Sequence, residues 1–96
     1  MWYNSLMNII TSKSNNGIKK VKKLHQKKYR IDSYLIEGWH LYEEAINHQA
    51  PIEQVFVLEE FVDKIKKDTK VTIVSPEVLA EISDSKSPQG IVAEIK

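Results

Sequence analysis

Apolar positions along this chain recur in two rhythms, one of helices and one of buried strands. Ile18, Val21 and Leu24 are spaced as on one helical face, behind Ser14 and Asn15, residues that readily cap a helix start. This spacing predicts a first helix over 16–27. Asp32-Ser33 interrupts it, and Tyr34-Leu35-Ile36 reads as a short buried strand. Gly38 permits a tight turn into a second helix, where Leu41, Tyr42, Ala45 and Ile46 share a face while Glu43 and Glu44 point away. Pro51 closes that unit. Val55-Phe56-Val57-Leu58 predicts a second strand, 60–67 a charged helical stretch, and Val71-Thr72-Ile73-Val74 a third strand. Ser75-Pro76 supplies a cap and a proline suited to the first helical position, opening a helix through Ile82. A polar loop over 83–90 leads to a last strand from Ile91-Val92-Ala93.

Helices alternate with strands that are apolar throughout, as strands are when both faces are covered. The expected fold is therefore α/β, with a central, at least partly parallel sheet and helices on its faces. Ninety-six residues with 42% hydrophobic content suit one domain with a modest core. Residues 1–8 are read as an extension ahead of it, with Met7 an alternative start. Cysteine is absent, which removes disulfides and thiolate metal sites. No apolar run approaches the length of a membrane span, and residues 1–7 lack the form of a signal peptide. The expected location is the cytoplasm, without membrane association.

Net charge is +1, but its distribution is lopsided. Residues 1–31 hold eight of the fourteen Lys and Arg residues and none of the thirteen acids, so the front carries +8 and the remainder −7. At about 100° per residue, Lys19, Lys23, Lys27 and Arg30 fall together, opposite Ile18, Val21 and Leu24. Lys20 and Lys22 lie beside them, Lys13 precedes the helix and Lys28 sits near its end. Phosphates spaced along a nucleic acid require several cations on one face without intervening carboxylates. Asn15, Asn16, Gln26 and Tyr29 add neutral groups suited to hydrogen bonding or stacking. The bland alternative is a solvated face whose lysines aid solubility; against it stands the lack of any acid for i,i+4 pairing. Composition does not separate RNA from DNA or from an acidic protein.

Other candidates are weaker. His25, His40 and His48 lack metal-ligand spacing, and Ser12, Ser14 and Ser33 lack a nucleophile context. Gly17, Gly38 and Gly90 form no phosphate-binding loop. Glu37, between a buried strand and the Gly38 turn, reads as a cap of the following helix more readily than as a catalyst. Trp39 reads as partial core.

Three segments together resemble the SpoU-type (TrmH-like) RNA 2′-O-ribose methyltransferases. Ile10-Thr11-Ser12, Asn15, Ile18-Lys19, Leu24 and Lys27-Lys28-Tyr29-Arg30 resemble their opening. Tyr34-Leu35-Ile36-Glu37-Gly38 followed by Glu44-Ala45-Ile46 is similar to their FLIEG…EAL segment. Leu79, Ile82-Ser83-Asp84-Ser85 and Ser87-Pro88-Gln89-Gly90-Ile91-Val92-Ala93 are similar to their LSDT-TPQGIVA segment. The resemblance spans about Ile9 to Lys96. It implies a substrate-binding domain, a three-layer α/β/α sandwich similar to small RNA-binding ribosomal proteins. Its recurring polar positions fall on Asn15, Lys19, Lys27, Lys28, Arg30, Glu37 and Gly38, the last two in structural roles, with a Glu37–Arg30 ion pair as a further expectation. Together with the charge pattern, the RNA-binding set is Lys13, Asn15, Lys19, Lys20, Lys23, Lys27, Lys28 and Arg30.

The family's knotted methyltransferase domain binds S-adenosylmethionine and forms the homodimer, and its DPxNxGxxxR and NxSVA stretches do not occur here. The resemblance thus implies no cofactor site and no catalysis in this chain alone, but recruitment of RNA, most readily ribosomal and less so transfer RNA. A stand-alone RNA-binding protein of ribosomal type is the alternative. A third reading, a protein-interaction domain using the acids of 53–68, rests on charge alone.

Overall fold

The computed structural model describes residues 9–29, 32–66, 68–86 and 88–96. Three α-helices, α1 (Asn16–Lys22), α2 (Trp39–Asn47) and α3 (Pro76–Ile82), surround a four-stranded sheet. Its strands are β1 (Tyr34–Glu37), β2 (Ile52–Val57), β3 (Val71–Ile73) and β4 (Ile91–Ile95), in the order β1-β4-β2-β3. β2 and β3 run parallel, with Val55 opposite Val71 and Val57 opposite Ile73. β4 comes last in sequence yet enters between β1 and β2, antiparallel to both, pairing Ala93 with Ile36 on one side and with Val55 on the other. Ile10 adds a parallel bridge to Val74 beyond β3.

Side-chain alternation divides the core between the two faces of this sheet. Val55, Val57, Ile91, Ala93 and Ile95 face α2, through Tyr42 and Ala45, and the 3₁₀ helix Glu59–Lys64, through Val62. Phe56 and Val92 face the opposite way, onto Ile18 and Val21 of α1 and Val78, Leu79 and Ile82 of α3. The result is the expected three-layer α/β/α arrangement. It explains why β2 and β4 read as continuous apolar runs: each needs apolar residues on both sides.

Local chemistry accounts for the helix starts. Asn15 Oδ1 accepts from the N–H groups of Gly17 (2.8 Å) and Ile18 (3.2 Å), and Ser75 Oγ accepts from Val78 N ahead of Pro76. Three expectations require correction. The first helix does not run to Lys27; α1 ends at Lys22, a 3₁₀ turn covers Lys23–His25, Gln26 is extended, and a second turn covers Lys27–Tyr29. Lys19, Lys20, Lys22 and Lys23 repel one another along a short helix with no acid among them, while the 3₁₀ turn keeps Leu24 buried. The stretch over 60–67 is likewise the 3₁₀ helix Glu59–Lys64, after which extended backbone directs Ile65 into the core. Leu41 is 47% exposed, because the buried stripe of α2 is narrow and centres on Tyr42 and Ala45.

Gly90 admits β4 to the centre of the sheet. Its φ is +93°, and a Cβ there would lie 2.6 Å from the Phe61 ring. Gly90→Ala should therefore destabilise the domain by about 2–4 kcal/mol, combining backbone strain with displacement of a packed aromatic ring. Leu41→Ser should change stability by about 0.5 kcal/mol or less. Chemical denaturation followed by circular dichroism distinguishes the two.

Candidate nucleic-acid interface

The basic front of the chain is folded against α3 and the end of β1. α1 packs beside α3, and across that contact Lys22 Nζ donates to Glu81. This ion pair could not be read locally, since 59 residues separate its partners. The bond to Lys22 and its charge, assisted by the charge of Lys13, hold the Glu81 carboxyl below its ordinary value despite opposing desolvation. One lysine of the segment is thereby neutralised on the α3 side.

The following 3₁₀ turn is anchored by His25, whose Nε2 lies 2.6 Å from the Ile82 carbonyl oxygen. A carbonyl can only accept, so Nε2 carries the proton in this contact. The next residue of the chain, Ser83, donates through Oγ to Glu37 Oε1, and Asp84 N donates to Glu37 Oε2 at 2.7 Å. Glu37 thus ties the loop after α3 to the end of β1; it does not cap α2 as expected. That cap comes from Gln89, whose Oε1 accepts from Trp39 N (3.3 Å) while its carbonyl accepts from Trp39 Nε1 (2.9 Å). Trp39 itself is partial core, as expected, edge-on to Tyr42 and Phe61. Gly38, at φ +91°, leaves room for the Gln89 side chain, which a Cβ would meet at 2.9 Å. The expected Glu37–Arg30 pair lies outside the described residues, because Arg30 is not among them.

Of the expected RNA-binding residues, Lys13, Asn15, Lys19, Lys20, Lys23, Lys27 and Lys28 are all exposed. Among the described residues, Lys19, Lys20 and Lys27 make no ion pair. Asn15 uses its carbonyl oxygen to cap α1, so its first role is structural. Among the described residues, the expected single stripe is replaced by two groups. Lys19 and Lys20 lie on α1, while Lys23 and Lys28 converge on Tyr29, with ammonium groups 5.5 and 5.1 Å from its ring centroid. Extended Gln26 turns the chain between Lys23 and Lys28, a change of direction that helical spacing does not reveal.

Beside this front, a cleft of about 270 Å³ is lined by Glu37, Gly38, Asp84, Ser85 and Gln89. Two carboxylates, a hydroxyl and an amide are among its lining side chains. Residues 83–90 were expected as a polar loop and as part of the LSDT-TPQGIVA-like segment, with no role for Gln89; the signal that could have identified it was its place between a proline and a glycine.

The MRM3-like substrate binding domain model matches residues 15–93. Over 93 residues, 91% of the chain, the sequence is 33% identical to 23S rRNA (guanosine(2553)-2′-O)-methyltransferase RlmP of Bacillus subtilis (strain 168), covering 37% of that protein. A crystal structure of an RNA 2′-O ribose methyltransferase matches 93% of the chain with TM-score 0.80 and 28% identity, over 37% of its own length. The AdoMet-bound rRNA methyltransferase from Sinorhizobium meliloti matches with TM-score 0.77 at 24% identity, over 93% of this chain and 36% of that one, a likeness of fold. This chain therefore spans little more than a third of the length of these relatives.

Two outcomes follow from this geometry. Glu81 should titrate below the ordinary glutamate range in a carboxyl-detected NMR series, and Lys22→Ala should move it upward. Because its folded-state value is lowered, the stabilisation from this pair is present above the unfolded value and lost as pH falls through the folded one. Glu37→Ala removes two accepted hydrogen bonds and should destabilise the domain by about 1–3 kcal/mol, measured by urea denaturation.

Proposed function

Because the chain belongs to the MRM3-like substrate binding domain family, we propose that it holds RNA, specifically ribosomal RNA, for a SpoU-type 2′-O-methyltransferase. The observation that carries this reading is the set of exposed lysines on 13–28, on a segment without a single acid. Glu81, whose carboxyl also feels the charge of Lys13, is engaged by Lys22. Cations so arranged neutralise successive phosphates and release their counterions, which supplies affinity without reading sequence.

Transfer of a methyl group to a ribose hydroxyl requires that hydroxyl to be held beside the methyl donor. In this reading the present domain binds and orients the RNA. S-adenosylmethionine, the reacting groups and the homodimer contact belong to the methyltransferase domain of the parent enzyme, which acts in the cytoplasm. Lys19, Lys20, Lys23, Lys27 and Lys28 contact phosphate, with Lys13 and Arg30 extending the surface at either end. Asn15 offers its amide from the capped start of α1.

Fluorescence anisotropy with fragments of ribosomal RNA at several salt concentrations tests the reading. Each of Lys19→Ala, Lys23→Ala, Lys27→Ala and Lys28→Ala should weaken binding and reduce the slope of log K against log salt by roughly 0.7–0.9. The charge-neutral double variant Lys22→Ala/Glu81→Ala should leave that slope unchanged. Equal binding by wild type and a Lys19/Lys23/Lys27/Lys28→Glu variant would place the RNA elsewhere.

A further inference from the structure

We propose that Tyr29 is a base-stacking platform, and that through it this domain selects RNA with an unpaired loop over a continuous duplex. The inference rests on the RNA-binding reading above and names the form of RNA that the same surface takes. Tyr29 is 41% exposed and belongs to neither core cluster, so its ring is not held outward by a packing role. It is nevertheless firmly placed. Its backbone N–H bonds to Gln26 O at 2.9 Å, and the adjoining 3₁₀ turn is tied to α3 through His25. Two ammonium groups, Lys23 Nζ and Lys28 Nζ, lie over the ring at 5.5 and 5.1 Å. Tyr34 is exposed to a similar degree, at 48%, but among the described residues no cation lies over it.

A flat, exposed ring with two ammonium groups beside it matches one nucleotide of single-stranded RNA: the base stacks on the ring and the adjoining phosphates take the ammonium groups. A duplex cannot use such a ring, because its bases are already stacked on one another and offer only edges and backbone. The competing description is that the two lysines simply shield the ring. Base stacking is the stronger contact at an exposed site. An arriving base therefore displaces an ammonium from the ring, and that ammonium moves to phosphate and loses nothing.

The test uses the 96-residue chain, a fluorescent RNA hairpin with an unpaired loop, and a fully paired duplex with the same number of phosphates. Tyr29→Leu should lower affinity for the hairpin roughly ten-fold, leave duplex binding unchanged and leave the salt dependence intact, since no charge is removed. Tyr29→Phe, which keeps the ring, should bind the hairpin within about two-fold of wild type. Circular dichroism and thermal melting confirm that both variants fold. Hairpin binding unaffected by Tyr29→Leu, or equal losses on hairpin and duplex, overturns the stacking proposal while leaving the phosphate surface standing. Failure of the wild type to bind either RNA at low salt overturns both.

Discussion

The insertion of β4 between β1 and β2 is the constraint on which the rest of this structure depends. A strand in that position must hydrogen-bond on both sides and bury both faces, and the side chains of Ile91 to Ile95 meet that demand. Val92 holds the face under α1 and α3, and Ile91, Ala93 and Ile95 hold the face under α2. Glu94, the one charged residue of the strand, has both oxygens satisfied, by Ser33 Oγ and Gln54 Nε2. Burying that carboxylate without partners would oppose the pairing that β4 provides.

The route into β4 also sets the loop that precedes it. To reach the centre of the sheet the chain passes the ends of β1 and α2, where Gln89 caps α2 and Ser83 and Asp84 engage Glu37. Gly90 then enters at a backbone angle that L side chains rarely adopt and so close to Phe61 that a Cβ would displace the ring. These contacts position the end of α3, and α3 in turn positions the basic front through Lys22–Glu81 and His25–Ile82. The proposed RNA surface is thus carried on short turns fastened to a rigid sheet at a few polar points. Such a support holds phosphate-binding groups in register without an extended helix.

The extent to which this arrangement is legible in the sequence differs by feature. Every strand and α-helix has its expected counterpart near the expected place, because apolar periodicity and caps such as Asn15 and Ser75-Pro76 act over a few residues. β2 begins earlier than its apolar run, at Ile52, since pairing with β4 recruits Ile52 and Gln54 across an irregularity at Glu53. The exposure of Lys19, Lys20, Lys23, Lys27 and Lys28 follows from their opposition to Ile18, Val21 and Leu24. Their division into two groups does not, because helical spacing assumes one straight element, whereas α1 ends at Lys22 and Gln26 is extended.

What the sequence by itself determined is therefore the set of local and additive properties: the alternation of helices with two-faced strands, and a front segment of one charge sign. What only the tertiary structure decided are the properties that need two distant residues side by side. Glu81 neutralises Lys22, Gln89 in place of Glu37 caps α2, Leu41 falls outside the buried stripe, and Lys23 and Lys28 meet over Tyr29. The physical reason is common to all four. Periodicity and charge are carried by the residues themselves, whereas an ion pair, a borrowed cap or a shared ring exists only where the packing of the whole sheet and its helices brings its members within reach.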